Sequence, residues 1–280
     1  MILLATFLLA GATSCLVWLA MRTTFQAPGL QRTNYRGAPV PVGAGIVLVV
    51  ALLVIEAGAA LVGWEVYTDG YASRVYATVL ATGFCLLGLF DDLAAEGDDR
   101  GFRGHLLAMA KGRLTTGGLK VVGGGLLAIV VVHLNQVEAI DELLIGGALI
   151  ALAANLGNLL DRAPGRCTKV ALVAGAVLVA AAAASDRPWL VGPVAILGAG
   201  AGLLAFDLRE ALMLGDAGSN VLGAAVGLGV VLTTGLAVQL VVLAVLVGLN
   251  LLSERVSFSR VIDATTPLRW FDRLGGRRPA

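Results

Sequence analysis

Charge is scarce in this chain: 14% of its 280 residues are Asp, Glu, Lys or Arg, against about a quarter in a soluble domain. Cysteine is equally sparse, with Cys15 and Cys85 inside apolar runs and Cys167 in a basic linker. No disulfide framework or metal-ligand spacing emerges from three such positions. The two histidines, His105 and His133, form no cluster. A formal net charge of +1 gives no basis for a nucleic-acid partner. By its length and apolarity Leu3–Met21 resembles a secretory leader, but the charge pattern leads us to expect a retained helix. No positive region precedes Leu3–Met21 and the positives follow it, as in a retained first helix with its N-terminus outside. There is no internal repeat and no segment polar enough to form a separate soluble domain.

Apolar length is abundant. The chain is 58% hydrophobic with a mean hydropathy of +0.88. Apolar segments recur at 2–21, 43–63, 75–90, 119–134, 143–160, 170–185, 189–206, 217–232 and 236–252. Runs near bilayer-spanning length predict an all-α, polytopic integral membrane protein of about nine transmembrane helices. Its 37 glycines and its alanine runs predict packing surfaces, because small residues let helix backbones approach in lipid. Residues 1–252 are expected to form one transmembrane domain with cytoplasmic active-site loops, and 253–280 a cytoplasmic tail.

The linkers alternate in charge. Of the 20 Lys and Arg residues, all but Arg74 and Arg187 lie in 22–42, 91–118 (with Lys120 at its edge), 161–169, 207–216 and 253–280. The opposite linkers carry Glu65, Asp69, Glu138, Asp141, Glu142 and Asp186. By the positive-inside rule the basic linkers and the C-terminus are cytoplasmic and the N-terminus is outside. Three polar stations then meet at one depth: Asp91-Asp92 after the third segment, Asn155, Asn158 and Asp161 closing the fifth, and Asp216 opening the eighth. An acid beside a membrane helix is costly unless it is used, and converging carboxylates commonly hold Mg²⁺ together with substrate phosphates. Gly215-Asp-Ala-Gly-Ser219 adds a helix start without bulky side chains, where a phosphate can approach backbone N–H groups. Each station also has a plain reading: Asp216 as a helix N-cap, Asp91-Asp92 as a solvated helix end, and the asparagines as interhelical hydrogen-bonding groups.

Gly88-Leu-Phe-Asp-Asp92, Asn155-Leu-Gly-Asn-Leu-Leu-Asp161 and Leu214-Gly-Asp-Ala-Gly-Ser-Asn220 resemble signature segments of the polyprenyl-phosphate N-acetylhexosamine-1-phosphate transferases. That superfamily includes the phospho-MurNAc-pentapeptide translocase and the undecaprenyl-phosphate GlcNAc-1-phosphate transferases. Asn34-Tyr-Arg36 with Pro39-Val-Pro41 and Gly43-Ala-Gly45 is similar to the family's first cytoplasmic loop, and Leu119-Lys-Val-Val-Gly123 to the start of its fourth helix. The matches fall in family order over about two thirds of the chain. The resemblance implies a transferase that moves a sugar-1-phosphate from a nucleotide-activated, UDP-linked sugar onto polyprenyl phosphate at the cytoplasmic face of the cell membrane. It further implies Mg²⁺ (or Mn²⁺) dependence and a place in cell-wall or envelope glycan synthesis.

Carried over by motif position, Asp91, Asp92 and Asp216 are catalytic, with Asp216 and Asp92 as metal ligands. Asn34, Arg36, Lys120, Asn155, Asn158, Asp161, Gly215 and Ser219 contact substrates. Arg162, Arg166 and Lys169 are candidate phosphate donors, or serve only positive-inside topology. The sequence departs from the family in the basic loop Asp161-Arg-Ala-Pro-Gly-Arg-Cys-Thr-Lys169, in lacking the histidine-rich motif before the last helix, and in lacking a tenth helix. A catalytically altered relative that binds polyprenyl phosphate or scaffolds envelope synthesis is therefore an alternative. A transporter with an ion path through Glu56 is a third reading, disfavoured because the acids do not lie at mid-membrane. Phe102–Arg113 reads as an interfacial amphipathic helix on which His105 is a surface residue. The oligomeric state, homodimer included, is left open.

Overall fold

Inside a bilayer no water satisfies backbone N–H and C=O groups, so long apolar segments must close their hydrogen bonds internally as helices. The computed structural model describes residues 1–34, 36–63, 70–94, 108, 111–113, 115–184 and 190–276. Its helices are α1 (Ile2–Met21), α2 (Ile46–Val62), α3 (Tyr71–Ala94), α4 (Thr116–Leu134), α5 (Ile140–Leu160), α6 (Arg166–Ala184), α7 (Val191–Asp207), α8 (Gly215–Thr233), α9 (Leu236–Ser253), α10 (Phe258–Ala264) and α11 (Thr266–Arg273). Seven of them, α1, α3–α6, α8 and α9, are long and apolar enough to cross a membrane. The apolar helices α2 and α7 are shorter, at 17 residues each. The protein is an all-helical, multi-pass membrane protein. The expected amphipathic stretch 102–113 falls largely outside the described residues.

Several helices run past their apolar segments. Arg74, Asp91, Asp92, Arg166 and Lys169 lie outside the apolar segments yet within helical turns. Each is charged, so hydropathy alone ends the segment too early. Arg74 shows what carries such a residue: its guanidinium donates to both carboxylate oxygens of Glu56 at 2.9 and 2.5 Å. That pairing of α3 with α2 also commits Glu56, the residue on which an ion path would depend.

The bundle is organised around α8. The share of its span that is buried is 83%, against 6% for α9. It packs on α2, α3, α5, α6 and α7, and glycines make that closeness attainable. A Cβ on Gly157 of α5 would meet the backbone of Ser219 and Gly223, and one on Gly88 of α3 the backbone of Asp216 and Ala217. On the far side α1 packs against α7, with the buried Ser14 hydroxyl donating to Ala199 O at 2.7 Å.

Chain direction alternates, so α1, α3, α5, α7 and α9 end where α2, α4, α6 and α8 begin. The linkers at that end are ordered by local devices. A two-stranded antiparallel hairpin, β1 (Gln31–Thr33) and β2 (Pro39–Pro41), pairs Gln31 with Pro41 and Thr33 with Pro39. Its tip is tied by Asn34, whose Oδ1 accepts from the N–H groups of Arg36 and Ala38 at 2.9 and 3.0 Å. The segment after β2 lies along the chain entering α8: Met213 N donates to Pro41 O, Ala44 N to Met213 O and Gly45 N to Leu214 O.

Candidate active site

Three helix termini meet where α3 ends and α4 and α8 begin. Lys120, in the first turns of α4, places its ammonium between two carboxylates. It donates to Asp91 Oδ2 at 3.1 Å and also to Asp216 Oδ2, and the side chains of all three are at least three-quarters buried. Asp92, the next residue on α3, points elsewhere, as about 100° of helical rotation per residue requires. Its Oδ1 accepts from Asp216 N at 2.9 Å and its Oδ2 from Ala217 N at 3.1 Å. Asp92 therefore caps α8 from another helix, and satisfies N–H groups that α8 cannot satisfy itself. Asp216 is not the cap: it lies in the first turn, and Leu214 occupies the cap position without a side-chain bond.

Gly215 makes this approach possible. Its φ of +67° suits glycine, and an added Cβ would meet the Asp92 carboxylate oxygens at 2.5 and 2.9 Å. Ser219 Oγ returns a bond to Gly215 O at 2.9 Å, and Asn220 Nδ2 to Asp216 O at 2.7 Å, which fixes the first turn of α8.

The fifth-helix station arrives beside this centre with divided roles. Asn155 Nδ2 donates to Asn250 Oδ1 of α9 at 2.6 Å. Asn158 Nδ2 is buried without a hydrogen-bond partner. Asp161 caps the end of α5 in a half-buried position. Burial raises its carboxyl well above the usual carboxylate range, Asp207, Asp216 and Asp92 raise it further, and the Gly215 N–H opposes them. Asp207, which the sequence did not single out, is 4% exposed and accepts from Gly165 N at 3.0 Å, so it holds the α5–α6 loop.

The remaining predicted substrate-contacting residues separate into groups. Asn34 and Arg36 of the hairpin converge on Glu210, at 2.9 and 3.1 Å. Arg32, also missed, donates to Asp92 O at 3.0 Å and so lies nearer the centre. Arg162 is exposed. Arg166 and Lys169 are buried and face the tail. Arg166 binds both oxygens of Asp272 at 2.6 and 2.9 Å and Ser259 Oγ at 2.9 Å. Lys169 Nζ donates to the carbonyls of Phe271, Asp272 and Leu274 at 3.1, 2.5 and 3.2 Å.

A cavity of about 300 Å³ opens beside Lys120, walled by α3, α4, α5 and α9, with Asn220 of α8 at its side. Phe84, Val121, Leu152, Leu159, Val247 and Leu251 make it apolar, while Lys120, Asn155, Asn220, Asn250 and Glu254 are its polar lining. Lys120 balances only one of the two carboxylates it joins, so Asp91 and Asp216 together keep a net negative charge that a cation can meet. No group of three or more His, Cys, Asp or Glu among the described residues is arranged to hold a metal. Mg²⁺ asks for less, one or two carboxylates completed by phosphates and water, and the donor set meets that requirement. The chain matches glycosyl transferase family 4 over residues 74–235, more than half its length and inclusive of Asp91, Asp92, Asp161, Asp207 and Asp216. No individual curated protein matches it.

Proposed function

The chain belongs to glycosyl transferase family 4, and on that premise we propose that it transfers a sugar-1-phosphate from a UDP-linked sugar to polyprenyl phosphate. The family supports a sugar-1-phosphate transferase kind of activity on a polyprenyl-phosphate acceptor. The donor, Mg²⁺ dependence, cytoplasmic location of the site and role in envelope glycan synthesis complete our reading. So do nine membrane-crossing helices in one domain over 1–252, with the N-terminus outside and 253–280 as a cytoplasmic tail. One observation carries it above the rest: a buried ammonium shared by Asp91 and Asp216 beside an apolar cavity that opens between helices. That arrangement suits a ligand with a hydrocarbon body and an anionic head.

In this reaction an oxygen of the lipid phosphate attacks the sugar-bearing phosphorus of the donor. A new P–O–P linkage forms, the bond to the bridging oxygen breaks, and that oxygen leaves with its electron pair on the nucleoside monophosphate. A phosphate monoester has a second pKa near 6, so the acceptor is largely ionised at neutral pH and little general base is needed. The difficulty is bringing two anions together. Lys120 neutralises charge where the acceptor head enters, and Arg32 and Arg36 add positive charge at the hairpin rim. Asp92 fixes the start of α8 and with it the position of Asp216. Asn158 offers its unpaired buried N–H to a substrate oxygen. Mg²⁺, held by Asp216 with Asp91, would supply charge stabilisation on the transferring phosphoryl group.

The second reading, a lipid-binding relative without turnover, draws on the engagement of Arg166 and Lys169 by the tail. Incubating the purified protein with polyprenyl phosphate, Mg²⁺ and a panel of nucleotide sugars separates the two. Release of nucleoside monophosphate supports transfer, whereas saturable acceptor binding with no release from any donor supports the second.

A further inference from the structure

One wall of the cavity beside Lys120 is held differently from the others. The helices α3, α4 and α5 are fixed by packing, but α9 contributes only Leu246 to the buried core and leans chiefly on α5. In lipid this helix has little to gain from apolar contact, because hydrocarbon tails satisfy Val238, Val241 and Val245 equally well. Most of its residues are apolar, so Asn250 stands out against them. It accepts from Asn155 Nδ2 at 2.6 Å, and its own Nδ2 donates to Leu246 O at 2.8 Å and to Leu152 O at 3.3 Å. Two of those bonds cross from α9 to α5, and both asparagines line the cavity. Gln239 is accounted for near the start of the helix, with donations to Val231 O and Thr234 O. The Asn155–Asn250 contact is therefore the polar link that holds the second half of α9 against the bundle.

Building on the acceptor reading above, we propose that Asn250 is a positioning residue that sets the width of the groove between α9 and α5. Through that width it selects a long polyprenyl monophosphate over a short-chain one. A long chain needs a continuous groove wall, whereas a short chain makes its contacts near Lys120 and is indifferent to where α9 lies.

Asn250→Leu removes both hydrogen-bonding functions at similar volume. Spin labels on the lipid-exposed positions Leu126 and Val245, with Cys15 replaced by Ser, report the α4–α9 separation without any need for turnover. In the variant this separation should broaden and lengthen. The acceptor KM for a long polyprenyl phosphate should rise between about threefold and about fifteenfold, the range for hydrogen bonds between membrane helices. The KM for the donor and for farnesyl phosphate should stay within about twofold, with kcat little changed. Asn250→Asp, which still accepts from Asn155, should fall between the two. An unchanged separation overturns the proposal, as does a broadened one with unchanged acceptor KM, or a KM rise shared equally by donor and acceptor. If the wild type turns over no donor at all, the transferase reading fails by itself. Retention of labelled long-chain polyprenyl phosphate, read beside the spin-label separation, then decides the role of Asn250: weakened retention with a broadened separation supports it, and unchanged retention overturns it.

Discussion

Replacing Arg166 by Ala should release the C-terminal tail without unfolding the bundle. Arg166 and Asp272 are 6% and 13% exposed at their side chains, in a two-point pair at 2.6 and 2.9 Å. Deleting one member of a buried pair costs about 3–5 kcal/mol, because the remaining charge is left without a partner. Lys169 keeps its three carbonyl bonds and Phe271 its contact, so the lower end of that range applies. About 3 kcal/mol multiplies the undocked population by roughly a hundredfold. The assay is limited trypsin digestion at Arg269 and Arg273, followed by intact mass. When opening and closing are faster than cleavage, the digestion rate tracks the undocked population and should rise in proportion. Hydrogen exchange over 258–274 should speed up in parallel, and Arg166→Ala/Asp272→Ala should recover part of the loss as coupled residues do. The reasoning fails if the tail digests at the wild-type rate. Unchanged digestion with weakened donor binding would instead assign Arg166 to the donor phosphates.

Other substitutions probe the centre itself. Gly88→Ala brings a methyl to 2.6 Å from Ala217 N; such overpacking costs about 1–3 kcal/mol, so a lower melting temperature and a larger loss of turnover should appear together. Asp92→Ala removes the cap on α8 and should lower stability by about 0.5–2 kcal/mol, with Asp92→Asn intermediate because one oxygen can still accept, both read by thermal unfolding in detergent. For Asp161 the folded pKa is raised, so the folded state binds more protons than the unfolded one and stability falls as pH rises above the ordinary carboxylate range. Asp161→Asn should therefore melt higher than wild type near about pH 8, and the gain should shrink as pH falls toward about 4. A reporter fused after Leu274 should be active only when cytoplasmic, and an outside-active fusion would reverse the orientation.

How far the chain alone conveys this arrangement depends on the kind of force involved. Helix identity was legible because lipid turns hydropathy into length: the segment 236–252 corresponds to α9 at Leu236–Ser253. Segment ends were less so, since α3 continues through Asp91 and Asp92 to Ala94, where paired charges replace apolar side chains. The meeting of Asp91, Asp92 and Asp216 followed from alternation of basic linkers, a signal spread along the whole chain. Asp207, Asn250 and Asp272 carried no such signal. Their partners Gly165, Asn155 and Arg166 lie 42, 95 and 106 positions away, and one acid in a linker reads the same whether it is solvated or buried. Asp92 illustrates the same limit. Its residue type and depth suited a metal ligand, but the direction of its side chain comes from helix phase and from the close approach permitted by Gly88 and Gly215.

The central claim is that the carboxylates around Lys120 form the centre of a sugar-1-phosphate transfer. Its most direct measurement is release of nucleoside monophosphate by wild type and Asp216→Asn, with polyprenyl phosphate, Mg²⁺ and the nucleotide sugar that the wild type accepts. Asn at 216 keeps the shape and removes the charge, and Asp216 is not the cap of α8. The protein should therefore stay folded while turnover falls by orders of magnitude, as loss of a group that stabilises the transferring phosphoryl requires. Wild-type rates in a folded Asp216→Asn protein would contradict the account.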